Sequence, residues 1–124
     1  MSQRPGKTRL QPCPDRPSCV STQATDPRHA IAPIPFTGPA NRARERLQKI
    51  LEAYPRTEIV EQGKTYLHAV CRSRIFRFPD DVEFEIDEAA HLIHFRSCSR
   101  YGHRDFGVNR ERMEEIRRQF AAGR

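Results

Sequence analysis

A chain of 124 residues with 36% hydrophobic content and a net charge of +6 has the size of one domain rather than two. No apolar run approaches the roughly 18 residues of a transmembrane helix, and the opening Met1–Lys7 stretch lacks the hydrophobic segment of a secretory signal, so a soluble, cytoplasmic chain is expected. A nucleic-acid surface is disfavoured despite the basic total: Glu45, Glu52, Glu111, Glu114 and Glu115 dilute the basic stretches, tryptophan is absent, and no basic–aromatic interleaving is read along the chain.

Eight of the ten prolines precede residue 40. Proline fixes φ and removes a backbone donor, so residues 1–28 are expected to form an extended arm, neither helix nor central strand, ahead of a single domain over 29–124. Cys13 and Cys19 lie close enough to bridge, whereas in a reducing compartment all four cysteines would be thiols. His29–Phe36 can supply a short edge strand, where proline is tolerated. A helix over 40–54 follows from Ala43, Leu47, Ile50, Leu51 and Tyr54 at helical spacing, with Pro39 near its first turn and Pro55 stopping it.

Four strands are predicted next: Glu58–Gln62, then a Gly63–Lys64 turn, Thr65–Ser73, Asp81–Asp87 and Leu92–Ser99. Asp81–Asp87 alternates cleanly, placing Val82, Phe84 and Ile86 inward and the four acids outward. Pairing Asp87 with Leu92 sets Ile86 opposite Ile93 and Phe84 opposite Phe95 on the core side, with Glu85 opposite His94 and Glu83 opposite Arg96 on the other. A one-residue slip would mix the faces, so apolar burial should hold this register. Met113, Ile116 and Phe120 mark a last helix over 109–121, for which Asn109 is the expected N-cap and Val108 its staple onto Met113. The order, a weak strand, a helix, four antiparallel strands and a helix, is an α+β layer: a curved antiparallel sheet of four to five strands with both helices on one face.

Four stretches stand out, the last three dense in acids, arginines and small polar residues: Cys13-Pro14-Asp15-Arg16-Pro17-Ser18-Cys19-Val20-Ser21-Thr22, Asp80-Asp81-Val82-Glu83-Phe84, Arg96-Ser97-Cys98-Ser99-Arg100-Tyr101-Gly102 and Asp105-Phe106-Gly107-Val108-Asn109-Arg110-Glu111-Arg112. In this order they resemble the pattern of the family called domain of unknown function 1499 (DUF1499). Two positions depart from it: Ser18, where asparagine is usual, and Cys98, where a small apolar residue is usual. The resemblance runs from about Cys13 to the end. It implies a single domain and brings no assigned activity, cofactor or catalytic residue.

The candidate binding residues are Asp81, Glu83, Arg96, Ser97, Ser99, Arg100, Asp105, Asn109 and Arg110. Arginine's planar fork suits bidentate recognition of carboxylate or phosphate, so Arg96, Arg100 and the Gly102–Asn109 loop can line a pocket for a small anion. A cross-strand salt-bridge network that only pins the scaffold is the favoured alternative, and capping is favoured over anion binding at Asn109. Serine catalysis would need Ser97 or Ser99 within reach of His94 or His103, and no nucleophile elbow surrounds either serine. His68, Cys71, His94 and Cys98 lack the close cysteine pairs that announce a zinc site, so neither metal nor cofactor is expected. Two functions remain: a non-enzymatic binding or accessory module engaging a small anion or a protein partner, or an enzyme using Asp80, Asp81 or Glu83 as a general base.

Overall fold

The computed structural model describes residues 10–15, 17–101 and 107–123. Among the described residues, six strands and two helices form in the order β1 (Cys19–Ser21), β2 (Ile34–Pro35), α1 (Ala40–Ala53), β3 (Thr57–Gln62), β4 (Tyr66–Arg72), β5 (Pro79–Asp87), β6 (Leu92–Ser99) and α2 (Val108–Ala122). The sheet is antiparallel and runs β1–β6–β5–β4–β3, with β2 also paired to β6. Both short strands lie along the same side of β6, β1 beside its second half and β2 beside its start, so they cover an edge that would otherwise expose unpaired backbone groups. The proline-rich arm therefore contributes one strand. It does so at the end of the sheet, where the prolines on either side of Cys19–Ser21 do not interrupt the ladder.

The β5–β6 ladder has the predicted register: Asp87 pairs with Leu92, Ile86 with Ile93, Glu85 with His94, Phe84 with Phe95 and Glu83 with Arg96. Val82, Phe84, Ile93, Phe95 and Leu67 are fully buried beneath Leu47 and Leu51 of α1 and Met113 and Ile116 of α2. Helix α1 is amphipathic as its spacing requires. Two arginines outside its apolar stripe are tied down: Arg44 donates to the Gly63 carbonyl at 2.7 Å, and the Arg46 guanidinium lies 4.9 Å from the Phe120 ring centroid.

The start of α2 corrects the sequence reading. Gly107 occupies the N-cap in the left-handed region at φ 80°, a conformation glycine adopts without steric cost. Asn109 sits inside the first turn, fully buried, and Val108 remains 43% exposed instead of stapling onto Met113.

Cys13 and Cys19 are joined in a disulfide with their Cα atoms 5.7 Å apart, while Cys71 and Cys98 are buried thiols. The loop it closes is short, so in the chain-entropy picture reduction should cost about 2 kcal/mol. Urea denaturation with and without reductant should show a lower midpoint for the reduced chain at an unchanged slope. An unchanged midpoint would mean that the bridge contributes nothing to the native sheet.

Candidate functional site

Strand parity divides the polar motifs into two clusters on opposite sides of the sheet. Odd-numbered residues of β5 and even-numbered residues of β6 point away from the helices, where four carboxylates run down β5. Arg96 donates to Glu83 at 3.1 Å, and Tyr66 donates its hydroxyl to the other Glu83 oxygen at 2.5 Å. Arg100 grips Asp81 with two hydrogen bonds of 2.7 and 3.0 Å, and His68 Nε2 lies 2.9 Å from the same carboxylate. Thr65 donates to Glu85, and His94 stands 3.9 Å from Asp87. Each of these four outward acids thereby lies beside a polar or basic side chain from a flanking segment. The Glu83–Arg96 pair is well shielded, at 13% and 15% side-chain exposure, whereas Arg100 is 42% exposed. Among the described residues, the buried Arg96 Nε has no hydrogen-bond acceptor.

The electrostatics follow from this geometry. Burial pushes the Asp81 carboxyl up, but the hydrogen bonds from Arg100 and His68 outweigh it and hold the group below its ordinary value. His94 is moved the other way by the same physics: burial disfavours its imidazolium and lowers its pKa, against the weaker pull of Asp87. With the folded value depressed, the unfolded chain takes up the His94 proton first. Stability from this group is complete above its ordinary 6.5 and is lost as pH falls through the lower folded value. His94→Gln should flatten that part of the pH–stability curve, as read by melting temperature. An undiminished slope would assign the titration to another group.

The second cluster faces the helices. Asp80 accepts from Arg112 at 2.7 Å, and the two side chains are only 9% and 8% exposed. Arg112 also donates to the Asn109 side-chain carbonyl at 2.8 Å and to Ser97 Oγ at 3.3 Å. The Asn109 amide accepts from Ser97 Oγ at 2.6 Å and donates to the Ser18 carbonyl and to Ser99 Oγ, each at 3.1 Å. One side chain thus ties the first turn of α2 to β6 and to the segment entering β1. Such a network specifies a structure because every member is satisfied by another.

The predicted site residues consequently separate. Asp81, Glu83, Arg96 and Arg100 come together on the outward face. Ser97, Ser99 and Asn109 lie on the opposite side, buried in the scaffold. Arg110 donates to the backbone carbonyls of Ala30 and Arg28, holding α2 against the segment between β1 and β2. Gly102 and Asp105 fall outside the described residues. Ser97 and Ser99 point to the face opposite His94, so the sheet keeps these serines apart from that histidine, and His103 falls outside the described residues. Among the described residues, no three His, Cys, Asp or Glu side chains converge as metal ligands.

Two features escaped sequence reasoning. Arg112 is as central to the buried network as Asn109, and its signal was available in its position three residues after Asn109, one turn along the same helical face. The second is the β4–β5 connection. Arg72-Ser73-Arg74-Ile75-Phe76-Arg77-Phe78 does interleave basic and aromatic residues, and Ile75, Phe76 and Phe78 are among the most exposed apolar side chains described. A cleft of about 630 Å³ also opens beside the disulfide, between Leu10–Asp15 and the Ser21–His29 segment.

The chain matches the profile of the family described as protein of unknown function (DUF1499) over residues 9–120, and it belongs to that family. No curated protein and no solved structure is detectably similar to it. No helix among the described residues is long and apolar enough to cross a membrane.

Proposed function

We propose that the chain is a non-enzymatic interaction module whose outward sheet face docks a protein partner. The observation that carries this reading is the pairing of the two arginines beside the acids of β5: Arg96 is held by Glu83 and Arg100 by Asp81. The face offers fixed, alternating charge on a rigid sheet, which suits electrostatic complementarity with another surface and fixes the register of docking. General-base chemistry is poorly supported. Asp81 is held ionised below its ordinary value, which makes it a weak base, and Asp80 is committed to Arg112. The Cys13–Cys19 disulfide fits an oxidising compartment better than the reducing cytoplasm.

One observation favours a second reading, a small-anion site: among the described residues, the buried Arg96 Nε lacks an acceptor. A melting-shift screen with orthophosphate, sulfate, acetate and short dicarboxylates separates the two, because a ligand of the native state raises apparent stability by mass action. Docking predicts no saturable shift, and loss of partner capture when the exposed pair is inverted in Asp81→Arg/Arg100→Asp. A saturable rise abolished by Arg96→Gln would replace docking with anion binding.

A further inference from the structure

The β4–β5 tip has the chemistry of a surface that meets a membrane. Strand β3 begins opposite Cys71 and β6 ends opposite Asp80, so residues 73–78 extend past both neighbouring strands. The tip is nevertheless closed and fixed. Ser73 N donates to the Phe78 carbonyl at 3.0 Å, Phe78 N donates to Ser73 Oγ at 2.9 Å, and Arg77 adopts a left-handed φ of 61°. Held this way, Ile75 is 78% exposed, Phe76 71% and Phe78 57%, and the Phe76 and Phe78 rings stack with centroids 5.5 Å apart. Isolated exposed apolar residues are ordinary, but three adjoining ones on a projecting loop mark an interaction site.

Charge identifies the partner. Arg74 and Arg77 flank the apolar apex within the loop, and Arg72 and Arg56 stand at its base. Arg56 donates to the Arg72 carbonyl and Arg72 to the Arg77 carbonyl, so both brace the backbone; among the described residues, none of the four forms an ion pair with a carboxylate. An apolar wedge ringed by unneutralised guanidinium groups complements a bilayer surface, with acyl chains for Ile75 and Phe76 and anionic headgroups for the arginines. Aromatic rings also favour that interface because they sit well at headgroup depth. A single-stranded nucleic acid fits less well: it uses a basic groove with stacking platforms, whereas this tip projects past its neighbouring strands and carries an exposed aliphatic residue beside its rings.

We infer that the Arg74–Phe78 tip docks the protein onto bilayers bearing anionic lipid, as a peripheral contact independent of the outward sheet face. The full chain should co-sediment with phosphatidylcholine vesicles containing phosphatidylglycerol and not with phosphatidylcholine alone. Ile75→Ser/Phe76→Ser should weaken binding by about tenfold or more, the effect of withdrawing large apolar side chains from hydrocarbon. Arg74→Gln/Arg77→Gln should weaken it by about fivefold per charge and reduce its sensitivity to salt. All four positions lie outside the core, so each variant should keep the wild-type melting temperature, which confirms that folding is not the cause. No binding of the wild-type chain to anionic vesicles would overturn the inference. So would undiminished binding of the apolar variant, which would assign the attraction to net charge alone. Binding to a single-stranded oligonucleotide that is lost in Phe76→Ser, without vesicle binding, would transfer the tip to nucleic acid.

Discussion

Replacing Arg112 by leucine should cost about 3–5 kcal/mol of folding stability, because it strands the buried Asp80 carboxylate without its counter-charge. The same change removes the donors that Arg112 supplies to Asn109 and Ser97, so the loss spreads through the polar network that joins α2 to the sheet. Set against a typical domain stability of about 5–15 kcal/mol, that loss threatens folding itself. The pair is not, however, an efficient source of stability. Removing both charges in Asp80→Ala/Arg112→Met should recover much of the loss, since desolvating two ions consumes most of what their attraction returns. Urea denaturation of the two variants checks this directly. A single variant no less stable than the double would mean that Asp80 is not buried with a charge.

Phe95→Ala is expected to be comparably damaging, at about 3–5 kcal/mol, for a different reason. Phe95 is fully buried and faces Phe84 across the β5–β6 ladder with ring centroids 6.2 Å apart, so truncation opens a cavity at the centre of the core. Its backbone carbonyl and amide also bond Thr22, so the core layer and the attachment of the N-terminal segment meet at one residue. Cross-strand charge pairs on the outward face contribute only about 0.2–1 kcal/mol each. The comparison explains which contacts set the register. Equilibrium denaturation of Phe95→Ala beside Arg96→Gln should show the larger loss for the phenylalanine, and equal losses would mean that the outward pairs share in fixing the ladder.

The sheet was legible because alternation along Val82, Phe84 and Ile86 fixes which face is buried, and the short loop to Leu92 then sets Phe84 opposite Phe95 and Ile86 opposite Ile93. The outward pairing of Glu83 with Arg96 followed from the same parity. The buried cluster was not legible as such, since Ser97, Ser99, Asp80 and Asn109 resemble surface residues until helix α2 is laid over them. Asn109 was misplaced for a related reason. A residue type favoured at caps was read as a cap, while the left-handed Gly107 two positions earlier started the helix. The short strand β1 was hidden by its prolines, which signal irregular chain but tolerate a sheet edge. The β4–β5 tip was overlooked because exposure is a property of the fold: in sequence, Ile75, Phe76 and Phe78 look like strand residues.

Asp80 and Asp81 are neighbours of identical chemistry that the fold assigns to opposite sides of the sheet, one to the buried scaffold and one to the outward face. Comparing Asp80→Asn with Asp81→Asn by urea denaturation is the sharpest measurement available. Asp80→Asn should lose about 3–5 kcal/mol by leaving Arg112 buried and unpaired. Asp81→Asn should lose about 1 kcal/mol or less, because its partner Arg100 can turn to water. Equal losses, or the larger loss at Asp81, would contradict the division of these motifs between buried scaffold and outward face.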